Sequence, residues 1–158
     1  LKENNLIQII QENIKLLNEL DNLIGISLKT NKKEIFLNSD KEQLARVFFN
    51  LIKNSIESIQ QKAEKDSKFK KKITIEVNED NNHIIINLID NGIGFPANKE
   101  HLLEPYISRS KKGSGLGLAV VKKIMEDHKG SIELKDNSKN GARVILSFPL
   151  SKRLGVYE

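Results

Sequence analysis

The sequence predicts a two-layer α/β (α+β) sandwich, in which three main helices pack on a mostly antiparallel, mixed sheet. Three observations predict it: three segments with apolar residues at helical spacing, three pairs of short β-prone segments around polar turns, and their order along the chain. That order is helix, hairpin, helix, hairpin, long loop, helix, hairpin. Hairpins demand antiparallel pairing, which excludes a doubly wound parallel sheet.

NNLIQIIQENIKLLNEL writes the first helix: Leu6, Ile9, Ile10, Ile14, Leu17 and Leu20 fall close to one face, and Asn5 is placed to cap the start. IGISLKT and KEIFLN flank the polar NKK and read as an early hairpin. Asp40 is the expected N-cap of a long central helix, in which Leu44, Val47, Phe48, Leu51, Ile52, Ser55 and Ile59 recur at helical spacing. After the charged break DSKFKKK, the segments KITIEV and HIIINLID read as two antiparallel neighbours around NEDNN. Residues 91–117 carry Gly, Pro and charge without a sustained period, and a loop of that length inside a compact domain is usually functional. LGLAVVKKIMEDHKG is the third helix, with Gly130 suited to a left-handed C-terminal cap, and GSIELKDN with GARVILSFPL makes the last hairpin.

The length of 158 residues suits a single domain, residues 1–158. The net charge of +5 comes from interspersed Lys and Glu with no arginine-rich or aromatic-studded stripe, so no nucleic-acid partner is expected. The absence of cysteine excludes disulfides and thiolate metal sites. No stretch approaches the roughly 18 to 20 apolar residues that span a bilayer, and LKENNL has no signal-peptide pattern. Because the chain begins without Met, it is expected to be a fragment of something longer, from which a membrane anchor could have been left out.

Three constellations carry chemistry. GSGLG follows neither the Rossmann spacing nor the P-loop ending, but it offers unhindered N–H groups at a helix start, where an anion is favoured. Gly113, Gly115 and Gly117 allow close backbone approach, and Lys111 and Lys112 add positive charge; taken alone, phosphate cradle and flexible entrance are equal readings. In NLIDNGIGFP an apolar strand ends on Asp90 and turns through Asn91, Gly92 and Gly94. That carboxylate either caps local backbone N–H groups or accepts a hydrogen bond from a ligand such as an adenine amino group. Asn50 and Asn54 share a face of the long helix beside Lys53 and Glu57; they are either surface asparagines or amide oxygen ligands for a Mg²⁺ otherwise held by phosphates and water.

In this order the three sets resemble the ATP-binding catalytic domain of two-component sensor histidine kinases, in the superfamily that also holds gyrase, the ninety-kilodalton heat-shock chaperone and mismatch-repair ATPases. NLIKNSIESI, DNGIGFP, LLEPYISRSKKGSGLGLAVVKKIMEDHKG and NGARVILSFPL carry the resemblance over essentially the whole chain, with EPY and the short SRSKKGSG closest to the nitrogen-regulation type. The resemblance implies a Bergerat-type ATP-binding fold, ATP and Mg²⁺ as cofactors, and a cytoplasmic location, as the cytoplasmic part of a membrane-anchored sensor. It implies that Asn54 coordinates Mg²⁺, that Asn50 lines the phosphate side with Lys53 beside it, and that Asp90 bonds the adenine amino group. Gly92 and Gly94 would shape the adenine pocket, while Gly113, Ser114, Gly115, Leu116 and Gly117 would wrap the triphosphate. Arg109, Lys111 and Lys112 would sit in the ATP lid. Tyr106 takes the place of a family aromatic beneath that lid, in nucleotide contact or in hinge packing. Ser147 is either a hydroxyl near the adenine or an outward strand serine.

In hydrolytic relatives a glutamate one turn before the metal asparagine activates water. Here that position is Asn50, an amide that cannot act as a general base, which favours direct transfer to another nucleophile. His83, His101 and His128 are not followed by an acidic residue on a long exposed helix, and His128 is expected to satisfy helix-end carbonyls. The resemblance therefore implies two partners, a histidine-bearing dimerisation domain of the same parent and the receiver domain of a response regulator. Two other functions share the nucleotide site: a serine kinase of the anti-sigma type, and a nucleotide-sensing module without transfer activity.

Overall fold

The computed structural model describes residues 1–104, 117–137 and 140–150, and its first two helices begin at the expected caps. The Asn5 side chain accepts from the Ile7 N–H at the start of α1 (Leu6–Asn18), and Asp40 accepts from the Gln43 N–H at the start of α2 (Lys41–Ala63). Leu6, Ile9, Ile10 and Leu17 of α1 are buried, but Leu20 lies past the helix end and is 67% exposed. On α2, Leu44, Val47, Phe48, Leu51, Ile52, Ser55 and Ile59 are all buried, as their spacing predicts.

The strands are β1 (Lys2–Asn5), β2 (Gly25–Thr30), β3 (Phe36–Ser39), β4 (Lys72–Glu79), β5 (His83–Asp90), β6 (Ser131–Asp136) and β7 (Ala142–Pro149). Five of them form a mixed sheet in the order β2-β4-β5-β7-β6, in which β2–β4 is parallel and the other pairs are antiparallel. The second and third expected hairpins are present as β4–β5 and β6–β7. Together with α1, α2 and α3 (Gly117–Asp127), whose buried residues join the inward sheet residues in one apolar core, this is the two-layer sandwich.

The early hairpin does not form. β2 pairs with β4, and β3 pairs instead with β1 in a separate two-stranded sheet. β3 runs directly into the Asp40 cap, so it stays with the start of α2, in a sheet separate from the main one. There β1 meets it: Leu6 N–H donates to Ile35 C=O at 2.7 Å, and the Asn4 amide donates to the Ser39 carbonyl at 3.0 Å. β2, left at the sheet edge, reaches its parallel neighbour only through the long crossover that contains α2.

At the end of α3 the left-handed residue is Lys129, with φ of 61°, and not Gly130. Gly130 N–H bonds to Met125 C=O and Lys129 N–H to Glu126 C=O, the two reverse bonds of a Schellman ending one residue earlier than expected. Gly130 is needed for space, because a Cβ there would lie 2.5 Å from the Ser147 carbonyl oxygen. His128 does satisfy a helix-end carbonyl, Ile124, through Nδ1 at 2.8 Å. Its Nε2 accepts from the Asp40 N–H at 3.1 Å, which makes the ring the neutral Nδ1–H tautomer and ties the end of α3 to the cap of α2. Within residues 91–117, read from sequence as one loop, a 3₁₀ turn occupies Lys99–Leu103.

Candidate functional site

β5 alternates Ile84, Ile86 and Leu88 toward the helices, and the same alternation turns its last residue, Asp90, inward. Asp90 is only 4% exposed. Its Oδ1 accepts from the Gly92 N–H at 2.8 Å and from the Ala142 N–H at 3.3 Å, and the Ser55 hydroxyl donates to the same carboxyl. Burial pushes the Asp90 carboxyl above the usual carboxylate range; those three hydrogen bonds and the Lys62 charge oppose the rise. A carboxylate has about four acceptor sites, so three donors leave it capacity for a donor from a ligand.

Gly141, with φ of 100°, makes the Ala142 contact possible. A Cβ there would collide with the Asp90 carbonyl oxygen. Gly94, with φ of 82°, packs against the Gly141 carbonyl, where a Cβ would come to 3.1 Å. Gly92 rests on α2 so closely that a Cβ would lie 2.7 Å from the Ser58 carbonyl carbon. These glycines are thus required by close backbone approach around Asp90.

Asp90 lines a cavity of about 290 Å³, at the small end of the range for ligand pockets. Asn50, Lys53, Asn54, Gly94 and Gly117 also line it. Asn50 and Asn54 are half-buried there rather than free on the surface, and Lys53 faces Glu57 at 3.9 Å along the same helix. Gly117 starts α3 against Asn54, with space for a Cβ 3.6 Å from the Asn54 amide nitrogen. Phe95, Leu118 and Val144 give the cavity an apolar wall suited to a planar ring. The lining therefore combines apolar side chains and a buried acceptor with two amides, a lysine and the start of a helix.

Ser147 does not join this site. On β7, Ala142, Val144, Leu146 and Phe148 are the buried inward set, which leaves Ser147 on the opposite face with Arg143 and Ile145. Strand alternation thus resolves the two readings in favour of the outward serine. Tyr106, Arg109, Lys111, Lys112, Gly113, Ser114, Gly115 and Leu116 lie outside the described residues. Four contributors escaped the sequence reading: Ser55 as a donor to Asp90, Ser58, Lys62 and Gly141. Their helical spacing on α2 and the Asn-Gly turn before β7 were the available signals, but neither signal names a partner.

Among the described residues no helix is long and apolar enough to cross a membrane. The family described as "Histidine kinase-, DNA gyrase B-, and HSP90-like ATPase" matches residues 39–152. Sporulation kinase A of Bacillus subtilis (strain 168) is 35% identical over 148 residues, covering 92% of this chain and 23% of that protein. Nitrogen regulation protein NtrY of Azorhizobium caulinodans is 40% identical over 98 residues, 61% of this chain and 13% of that protein. The chain spans no more than about a quarter of the length of these relatives. The nucleotide-free catalytic domain of the histidine kinase ThkA superposes with a TM-score of 0.81 at 26% identity, covering 94% of both chains. Its sandwich is that of histidine kinase catalytic domains, its relatives are kinases, and the family match includes every element that builds the cavity: the chain belongs to the histidine kinase-, DNA gyrase B- and HSP90-like ATPase family.

Proposed function

We propose that residues 1–158 are the ATP-binding catalytic domain of a two-component sensor histidine kinase. The domain binds Mg²⁺–ATP and donates the γ-phosphoryl group to a histidine on a separate dimerisation domain of the same parent, for onward transfer to a response-regulator receiver domain. The observation that carries the reading is the buried Asp90 carboxyl, with acceptor capacity to spare, in the lining of a cavity that Asn50 and Asn54 also line.

In this reading Asp90 accepts a hydrogen bond from the adenine amino group, and the apolar wall takes the ring. Asn50, Lys53 and the start of α3 at Gly117 receive the phosphates, joined by the lid residues Arg109, Lys111, Lys112 and the glycine loop 113–117. Among the described residues no group of three or more His, Cys, Asp or Glu side chains could hold a metal by itself. The amide oxygen of Asn54 fits a Mg²⁺ held mainly by phosphates and water. When bound, the ion supplies positive charge that offsets the triphosphate.

An incoming imidazole nitrogen forms its bond to the γ-phosphorus as the bond to the β,γ-bridging oxygen breaks, and ADP leaves. The chain's own part is to align and neutralise. No carboxylate occupies the position of Asn50, which supports transfer to a nucleophile over activation of water. A parent with a membrane anchor would hold this domain on the cytoplasmic side, where ATP is available.

Calorimetric titration with Mg²⁺–ATP tests the reading. The wild-type chain is expected to show saturable binding, and Asp90→Asn to weaken it by about 1 to 3 kcal/mol, because a donor then faces the adenine amino group. Equal affinity in the two proteins would remove Asp90 from the site.

A further inference from the structure

Ser55, Ser58 and Lys62 lie three and four residues apart and so share one face of α2. Each reaches the chain segment that follows β5. Ser55 donates to the Asp90 carboxyl, Lys62 Nζ donates to the Asn91 carbonyl at 3.0 Å, and Ser58 Oγ accepts from the Ile93 N–H at 2.9 Å. Gly92, between them, lies directly on the helix backbone at Ser58. Four consecutive residues, 90–93, are thereby held by one helix, and that helix also carries Asn50 and Asn54. Lys62 is itself held over the Phe69 ring, 4.7 Å from its centroid.

An acceptor can select an amino group over a carbonyl only if it cannot turn away or be replaced by a neighbouring donor. Asp90 stands at the end of a strand, where the chain bends, and a bend whose peptide groups are satisfied only by water would let the carboxyl drift. The α2 hydroxyls remove that freedom: Ser55 fixes the carboxyl group, and Ser58 fixes the backbone three residues beyond it. Resting on the nucleotide reading above, we propose that Ser55 and Ser58 are positioning residues for base discrimination. They lock the 90–93 turn to the helix bearing the phosphate-side asparagines, so that the chain prefers adenine to a base with a 6-oxo group.

The two hydroxyls act differently, and this gives separate readouts. Groups facing the Asp90 carboxyl are Ser55 and the Lys62 ammonium from α2, the Gly92 N–H from its own turn and the Ala142 N–H from β7; its β4 neighbour is the uncharged Ile73. Removing the Ser55 hydroxyl leaves burial less opposed, so proton uptake by Asp90 begins at higher pH. Ser58 touches backbone and leaves that proton equilibrium alone.

The test is calorimetric titration of wild type, Ser55→Ala, Ser55→Thr, Ser58→Ala and Ser58→Thr with Mg²⁺–ATP and Mg²⁺–inosine triphosphate, from mildly acidic to mildly alkaline pH. Both alanine variants are expected to lower the ATP-to-inosine preference about five- to tenfold, the scale of one lost hydrogen bond. Only Ser55→Ala should also move the acid limb of ATP affinity to higher pH, and the threonine variants should restore the preference. Inosine triphosphate binding reports that each variant is folded at its phosphate side. A parallel loss for both nucleotides, or an unchanged preference, would overturn the positioning role. Failure of the wild-type chain to bind ATP would instead overturn the nucleotide reading, and the proposal with it.

Discussion

In the proposed function Asp90 trades stability for recognition. Its folded-state pKa is raised, first by burial, so the folded chain keeps the proton at pH values where the unfolded chain has released it. The associated stability is full below the ordinary carboxylate range, about pH 4, and is lost as pH rises through the folded value. Without nucleotide, wild type is therefore expected to lose stability relative to Asp90→Asn as pH rises from about 4 through the raised folded value. Urea titrations across that window measure this; parallel stabilities would contradict a proton-holding Asp90. The proposed role of this carboxyl stands in the sequence as one of two readings, because a charged residue ending an apolar strand is unusual. Its partners are not legible there, since Ser55 and Ala142 are brought to it only when α2 and β7 pack on either side.

Among the elements, the end of α3 shows how a correct motif can be read one residue out. EDHKG signals a helix stop, and Gly is the common left-handed residue, but here Lys129 takes φ of 61° while Gly130 is spent on contact with β7. Two substitutions should separate these roles. Lys129→Gly is expected to stabilise the chain by about 0.5 to 1 kcal/mol, because it relieves the left-handed strain. Gly130→Ala should destabilise it, because the new methyl meets the Ser147 carbonyl oxygen at 2.5 Å. Thermal melts of the two variants check both signs. The early hairpin is the larger discrepancy. Local alternation identified β2 and β3 as strands, but pairing is decided by where α2 must begin, and that placed β1 beside β3.

For the whole molecule, the proposed phosphoryl donor lacks an acceptor among its own described histidines. His83 opens β5, His101 sits in the 3₁₀ turn 3.7 Å from Glu104, and His128 is engaged at both ring nitrogens. The chain alone, incubated with labelled Mg²⁺–ATP, is expected to bind nucleotide without forming phosphohistidine. Addition of a separately made cognate helical hairpin bearing the acceptor histidine should produce acid-labile label on the hairpin. Label that appears on the hairpin as acid-stable phosphoserine would favour the serine-kinase class, and its absence across cognate hairpins would favour a sensing module.

By itself the sequence determined three helices and the caps Asn5 and Asp40 of the first two, the strand segments from residue 25 onward, the two later hairpins, and the residues proposed for the site: Asn50, Asn54, Asp90, Gly92, Gly94 and Gly117. Periodicity, capping and turn chemistry act over a few residues, so a linear reading can recover them. Only the tertiary structure decided that β2 joins β4 in parallel, that β1 covers β3, that Ser147 faces away, and that Ser55, Ser58 and Lys62 grip residues 90–93. Each of these depends on two segments distant in sequence competing for the same space or the same hydrogen bonds. Such competition is settled by packing in three dimensions, beyond the reach of local pattern.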